Sequence, residues 1–196
     1  MFTGIVEQIG TVEDVSDSAI GRCVRLSAPG VGDMRIGASI SVNGVCLTAV
    51  ETGQDMVVVE VIPETLQRSN LGSLVRGNQV NLERPMLASG RFDGHIVQGH
   101  VDGLGTIADI DRGSDGSVVM TVDTPEELHR YLVEKGSVTI DGVSLTVASL
   151  TDTGLRVALI PHSLEVTTLG LRNPGDTVNL EMDVLAKYVE RLLRAP

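Results

Sequence analysis

The chain has no tryptophan, and its aromatic residues are only Phe2, Phe92, Tyr131 and Tyr188 among 196. It therefore lacks the aromatic platforms on which single-stranded nucleic acids stack. Positive charge is also scarce: 15 Lys and Arg face 26 Asp and Glu, and the net charge of −11 repels phosphate backbones and anionic membrane surfaces. Two cysteines, Cys23 and Cys46, form no CxxC pair or disulfide framework, and the four histidines lack HExxH spacing, so no metal site is expected. No window reaches about 18 uninterrupted apolar residues, and the opening MFTGIVEQIG has no basic segment leading into an apolar run. The expectation is a soluble cytoplasmic protein that binds neither nucleic acid nor membrane. Hydrophobic residues make up 42%, enough for a buried core.

What the chain does have is a repeat. Shifted by 98 positions, NGVCLT (Asn43 to Thr48) falls on DGVSLT (Asp141 to Thr146) and VIPETL (Val61 to Leu66) on LIPHSL (Leu159 to Leu164). Val80 to Glu83 (VNLE) recurs unchanged at Val178 to Glu181. Near the front the offset is 95, laying GIVEQIGTV (Gly4 to Val12) on GHVDGLGTI (Gly99 to Ile107), so the second copy has gained three residues. A period this long signals a duplicated small domain rather than a solenoid.

Each copy reads as β structure. In the first, short β-branched runs at 5–12, 22–26, 39–42, 45–50, 56–62 and 79–83 are separated by turn formers, and Asn43-Gly44 is a two-residue hairpin signal. Six strands with close turns suggest a small barrel. Pro63 and Pro161 each open a short helix, and PEELHRYL (Pro125 to Leu132) reads as another, capped by Thr124. Arg84 to Ile96 has no equivalent of comparable length and reads as a linker. From Asp183, a plausible N-cap, to Arg194 the apolar Leu185, Tyr188, Val189 and Leu192 form one stripe of an amphipathic helix. So short a helix is marginal alone and must pack on a barrel or on copies of itself. The expected units are 1–96, 97–182 and the helix 183–196.

Positions that match in frame but differ in chemistry are the candidate site. Cys46 stands opposite Ser144, Ile5 opposite His100, Glu64 opposite His162, Gly37 opposite Lys135 and Pro85 opposite Asp183. Packing alone does not require such asymmetry, which suggests one binding site retained while its twin gained proton-handling groups. Bland readings stand beside these: Cys46 as a small buried hydrophobe, Asp183 as a cap, Lys135 as a solvated turn residue, His95 and His100 as unrelated loop histidines. A hydrolase triad of Ser144, His100 and Asp183 ranks low because Ser144 lies in a strand without a GxSxG elbow.

MFTGIVE, NGVCLT with DGVSLT, GHIVQGHVDG (Gly94 to Gly103), IPETL with IPHSL, and VNLEMDVLAKYVERLL, in this order and covering essentially the whole chain, resemble the riboflavin synthase α-chain family. The resemblance implies an all-β fold of two homologous six-stranded Greek-key lumazine-binding barrels with a C-terminal α-helix that joins a homotrimer. It implies dismutation of two 6,7-dimethyl-8-ribityllumazine molecules to riboflavin and 5-amino-6-ribitylaminouracil without metal or other cofactor, with lumazine synthase a candidate partner. Around the first ligand the family pattern places Gly4, Ile5, Val6, Cys46, Leu47, Thr48, Glu60, Val61, Ile62, Pro63, Glu64 and Thr65. Around the second it places Gly99, His100, Val101, Lys135, Ser144, Leu145, Thr146, Leu159, Ile160, Pro161, His162, Ser163 and Leu164. Ser144, Asp183, His100, Cys46 and Lys135 are the expected catalytic set, with His100 or Asp183 as the base and Phe2-Thr3 closing the first pocket. His162-Ser163 departs from the family's more usual Glu-Thr. A non-catalytic lumazine- or flavin-binding protein of the same fold is the alternative, and Ser144, Thr146, Lys135, His100 and Asp183 in the second copy favour the enzyme.

Overall fold

The computed structural model describes residues 1–31, 34–114 and 116–193; Arg194, the expected last residue of the C-terminal helix, lies outside them. The first copy folds as β1 (Gln8–Ser18), β2 (Gly21–Ser27), β3 (Ser39–Val42), β4 (Val45–Gly53), β5 (Met56–Val61), the short helix α1 (Pro63–Arg68) and β6 (Gln79–Glu83). The second repeats it with β7 (Gly103–Arg112), β8 (Val118–Asp123), β9 (Ser137–Ile140), β10 (Val143–Leu150), β11 (Gly154–Leu159), α2 (Pro161–Val166) and β12 (Thr177–Met182). Both close into antiparallel six-stranded barrels with the same cyclic order, β1-β2-β5-β4-β3-β6 and its counterpart. Closure leaves no strand edge exposed.

The duplication reaches fine detail. Register shifts after Val12 and Ala49 recur after Ile107 and Val147, bulges that bend a strand where a small barrel must turn. Both β3–β4 and β9–β10 hairpins turn on residues of positive φ, Asn43-Gly44 and Asp141-Gly142, as a two-residue loop matched to strand twist demands. Alternation then sorts the side chains: Val45, Leu47 and Ala49 enter the first core, while Cys46 and Thr48 face outward.

The two barrels meet about a pseudo-dyad. Phe2 and Val97, equivalent residues of the two copies, pair with each other, Phe2 N–H donating to Val97 C=O at 2.8 Å and Val97 N–H to Phe2 C=O at 3.2 Å. Phe2 is wholly buried, so its side chain is part of the joint between barrels. Behind it lies a polar core in which Asn81 and Asn179 donate across the dyad to the carbonyls of Asp141 and Asn43, both at 2.8 Å. Buried Asp141 is paired with Arg172 at 2.5 Å; desolvation pushes its carboxyl above the usual range, and the Arg172 charge opposes that shift.

Two helical expectations differ in outcome. Glu126–Tyr131 is a 3₁₀ helix entered from Pro125, and Thr124 does not cap it: Pro125 holds the cap position and has no side-chain acceptor to offer. The last helix, α3 (Val184–Leu193), does start at Asp183, whose carboxylate accepts Leu185 N–H at 2.9 Å. Lys187 holds α3 to Asp102 at 2.6 Å and Arg130 to Glu190 at 3.2 Å, yet Leu185, Tyr188, Val189 and Leu192 remain exposed. No helix among the described residues is long and apolar enough to cross a membrane.

Candidate functional site

The segments that precede each barrel cross over to the other one. Gly4 C=O accepts Ser144 N–H at 2.7 Å, and Gly99 C=O accepts Cys46 N–H at 2.9 Å. Val6 accordingly packs on the second core and Val101 on the first. The expected grouping is thereby exchanged: Gly4, Ile5 and Val6 lie with Ser144, and Gly99, His100 and Val101 with Cys46. Sequence could not give this, since it depends on how two closed barrels dock. Glycine is needed at both crossings, for Gly4 and Gly99 have φ of +77° and +78°, and a Cβ on either would fall 2.6 Å from the Cβ of Ser144 or Cys46.

On the second barrel's outer face two strips of backbone converge on Ser144 of β10. The Thr3-Gly4 strip lies on one side, and on the other Gly94 runs so close that a Cβ there would sit 1.9 Å from Thr3 C=O. This contact aims the next side chain. His95 donates its N–H to Thr3 C=O at 3.1 Å and shares a 2.7 Å hydrogen bond between its Nδ1 and Ser144 Oγ. Its Nε2 is buried and has no hydrogen-bond partner among the described residues. Desolvation holds its pKa below 6.5, partly opposed by the negative charge of Asp183, so the ring is neutral near pH 7 and able to accept a proton. Lys135 and Thr146 are exposed on this barrel. Lys135 has φ +66° where its twin Gly37 has +86°, and its Nζ donates to Ala148 C=O at 3.0 Å. The left-handed region is unfavourable for a side chain, which keeps Lys135 a candidate for a functional role.

The first barrel's face is simpler. Cys46 is half-buried, and Thr48, Ile62 and His100 are exposed; Pro85 stands where the second copy has Asp183. His100 is thus separated from the serine it was considered with. Of the strand ends assigned to ligand binding, Ile62, Pro63 and Glu64 and their counterparts Ile160, Pro161 and His162 are exposed, while Glu60, Thr65, Ser163, Leu145 and Leu164 are half-buried. Leu47, Val61 and Leu159 are different: their side chains fill the barrel cores, so only their backbone can meet a ligand. Beside the Thr3-Gly4 crossing lies a cleft of about 760 Å³ lined by Thr3, Ile5, Glu83 and the linker. No group of three His, Cys, Asp or Glu able to hold a metal occurs among the described residues.

A model of the lumazine binding domain matches residues 3–85 and again 98–183. A riboflavin synthase of Mycobacterium tuberculosis is 48% identical over 202 aligned residues, covering 100% of this chain and 99% of that protein. The chain belongs to the riboflavin synthase family. Other riboflavin synthases, from Actinobacillus pleuropneumoniae (44% identical, 98% of this chain and 90% of that one) and Schizosaccharomyces pombe (38%, 100% and 95%), agree. Among solved structures, LumP complexed with riboflavin superposes with a TM-score of 0.84 at 25% identity, covering 93% of this chain and 99% of that one.

For a riboflavin synthase sequence the repeat was the main guide to the site, and it missed His95. The 95-residue offset lays no residue of the chain against His95, so the comparison of copies passes over it. Its signal was Gly94, a glycine directly before the repeat's start, where one backbone must pass close to another.

Proposed function

We infer that the chain has riboflavin synthase activity: it takes two molecules of 6,7-dimethyl-8-ribityllumazine and moves a four-carbon unit from one to the other, yielding riboflavin and 5-amino-6-ribitylaminouracil. The atoms of the two substrates equal those of the two products, so no co-reactant is required. The observation that carries this reading, given the family, is the Ser144–His95 pair on a face whose twin is built around Cys46. Two like faces suit two like substrates, and unlike side chains suit their unlike fates.

In this reading the outer faces of β4 and β10 hold the two flat ring systems, and Ile62 and Ile160 supply apolar contact. The first step is loss of a proton from a ring methyl group of the donor lumazine. Neutral His95, acting with the Ser144 hydroxyl, is the acceptor this geometry supports best, and the Asp183 charge favours the imidazolium that results. Lys135 and Thr146 hold the same substrate, while Cys46, Thr48 and His100 hold the acceptor. The face residues are open to solvent in a single chain, and α3 presents an uncovered apolar stripe. Both features support contact between subunits, which in our reading form a cytoplasmic homotrimer gathered by α3 in which the first face of one subunit meets the second face of its neighbour, with lumazine synthase as a candidate partner. Units 1–96 and 97–182 with a helix 183–196 fit this plan, although residues at each unit's start serve the other unit's face.

The test is turnover. Purified protein given dimethylribityllumazine is expected to consume two substrate molecules per flavin formed with nothing added. Stoichiometric binding without turnover leaves the non-catalytic lumazine-binding alternative.

A further inference from the structure

Glu83 and Glu181 occupy equivalent positions in β6 and β12, and both carboxylates are buried. Burial pushes both above the usual carboxylate range, and their hydrogen bonds oppose the shift. What they hold lies on the path to the opposite barrel's face. Glu83 Oε1 accepts Thr3 N–H at 2.7 Å and the Thr3 hydroxyl at 3.0 Å, and Oε2 accepts Gly4 N–H at 3.0 Å. Thr3 C=O in turn receives His95 N–H, and Gly4 C=O receives Ser144 N–H. A single carboxylate of the first barrel therefore fixes, through one residue each, both members of the Ser144–His95 pair. On the other side Glu181 Oε1 accepts Gln98 N–H at 2.8 Å, and Oε2 accepts Gly99 and His100 N–H at 2.9 and 3.1 Å; Gly99 C=O then receives Cys46 N–H.

We propose that Glu83 is the positioning residue for the Ser144–His95 face and Glu181 the positioning residue for the Cys46 face, each acting from the barrel across the dyad. The catalytic part of the proposal rests on the reading of Ser144 and His95 given above. Both oxygens of each carboxylate accept, and every partner donates. Glutamine has the shape of glutamate but turns an NH₂ toward donors, leaving at least one buried N–H unsatisfied and the strip free to shift. Misplacement of reacting groups by about 1 Å costs roughly 10²-fold in rate. Buried glutamates that only held the fold together would give equal effects on both faces.

The test compares Glu83→Gln with Glu181→Gln in the full chain by steady-state kinetics and by NMR of histidine-labelled protein. Glu83→Gln is expected to lower kcat by about 10²-fold and to shift the His95 imidazole signals and their titration. Glu181→Gln is expected to leave the His95 signals in place while moving those of His100 and raising KM. The NMR readout requires no turnover, so it separates failure of this proposal from failure of the functional reading. If Glu83→Gln does not fold, Thr3→Val, which removes only the hydroxyl bond to Glu83, is expected to give a smaller shift of the same His95 signals. Wild-type His95 signals in the folded Glu83→Gln protein, or failing that in Thr3→Val, would overturn the proposal, as would a His95 shift of equal size in Glu181→Gln.

Discussion

The two outer faces are built on one plan and differ in what they carry. Around Cys46 the backbone of Gly99 crosses from the other copy, a glutamate clamps it, and the side chains are a thiol, Thr48 and exposed His100. Around Ser144 the crossing and the clamp are repeated, but a second strip of backbone brings in His95, and Asp183 and Lys135 replace a proline and a glycine. The scaffold supplies a flat, glycine-lined surface twice. In the proposed reading proton chemistry belongs to the Ser144 face alone, so a duplicated domain would separate binding from reaction without altering its strands.

Loss of the added chemistry gives the largest expected effect. Ser144→Ala or His95→Ala is expected to lower kcat by about 10²- to 10³-fold, while Cys46→Ala costs about an order of magnitude, mostly in KM; equal losses in steady-state assays would erase the difference between the faces. Next comes the joining of faces between chains. Removing residues 184–196 is expected to yield monomers by sedimentation with activity down about 10²-fold, and a fully active monomer would mean that one chain completes the site. Gly4→Ala and Gly99→Ala should each destabilise by about 1–2 kcal/mol from backbone conformation alone, with further cost from the Cβ contact. Their ligand affinities should separate: Gly4→Ala weakens the Ser144 face and Gly99→Ala the Cys46 face, readable as loss of one of two flavin sites per chain.

A smaller effect concerns pH. Because burial disfavours the protonated form of His95, its neutral form persists to lower pH than in an exposed histidine. The acid limb of kcat/KM is expected below pH 6.5, and a limb at or above that value would remove His95 as the base. The smallest effect is Lys135→Gly, which relieves the left-handed backbone and should raise stability by up to about 1 kcal/mol in a thermal melt while weakening substrate binding. Gly37 already shows what that position accepts when no side chain is required.

Much of this was legible from the residues. The 98-position repeat, the hairpin signals at Asn43-Gly44 and Asp141-Gly142, and the alternation in Val45 to Ala49 fix two small barrels by local rules alone, and Asp183 announces α3 as a cap does. The exchange of Gly4 and Gly99 between faces was not legible, because short-range pattern carries no information about which of two identical surfaces a strip of chain will cover. Leu47, Val61 and Leu159 were drawn into the site by their neighbours; alternation, applied strictly, would have sent them inward. His95 was out of reach of the comparison between copies, since the 95-residue offset lays no residue of the chain against it.

The crossing of Gly4 onto Ser144 also sets an order of events during synthesis. The first barrel has all its strands once β6 leaves the ribosome, but Gly4 C=O must wait for β10 to receive Ser144 N–H. At about 5–20 residues per second the intervening 140 residues take roughly 7–28 s. For that interval Glu83 can already hold the Thr3 and Gly4 N–H groups, while Gly4 C=O still lacks its Ser144 partner, so the Ser144 face draws together residues made far apart in time.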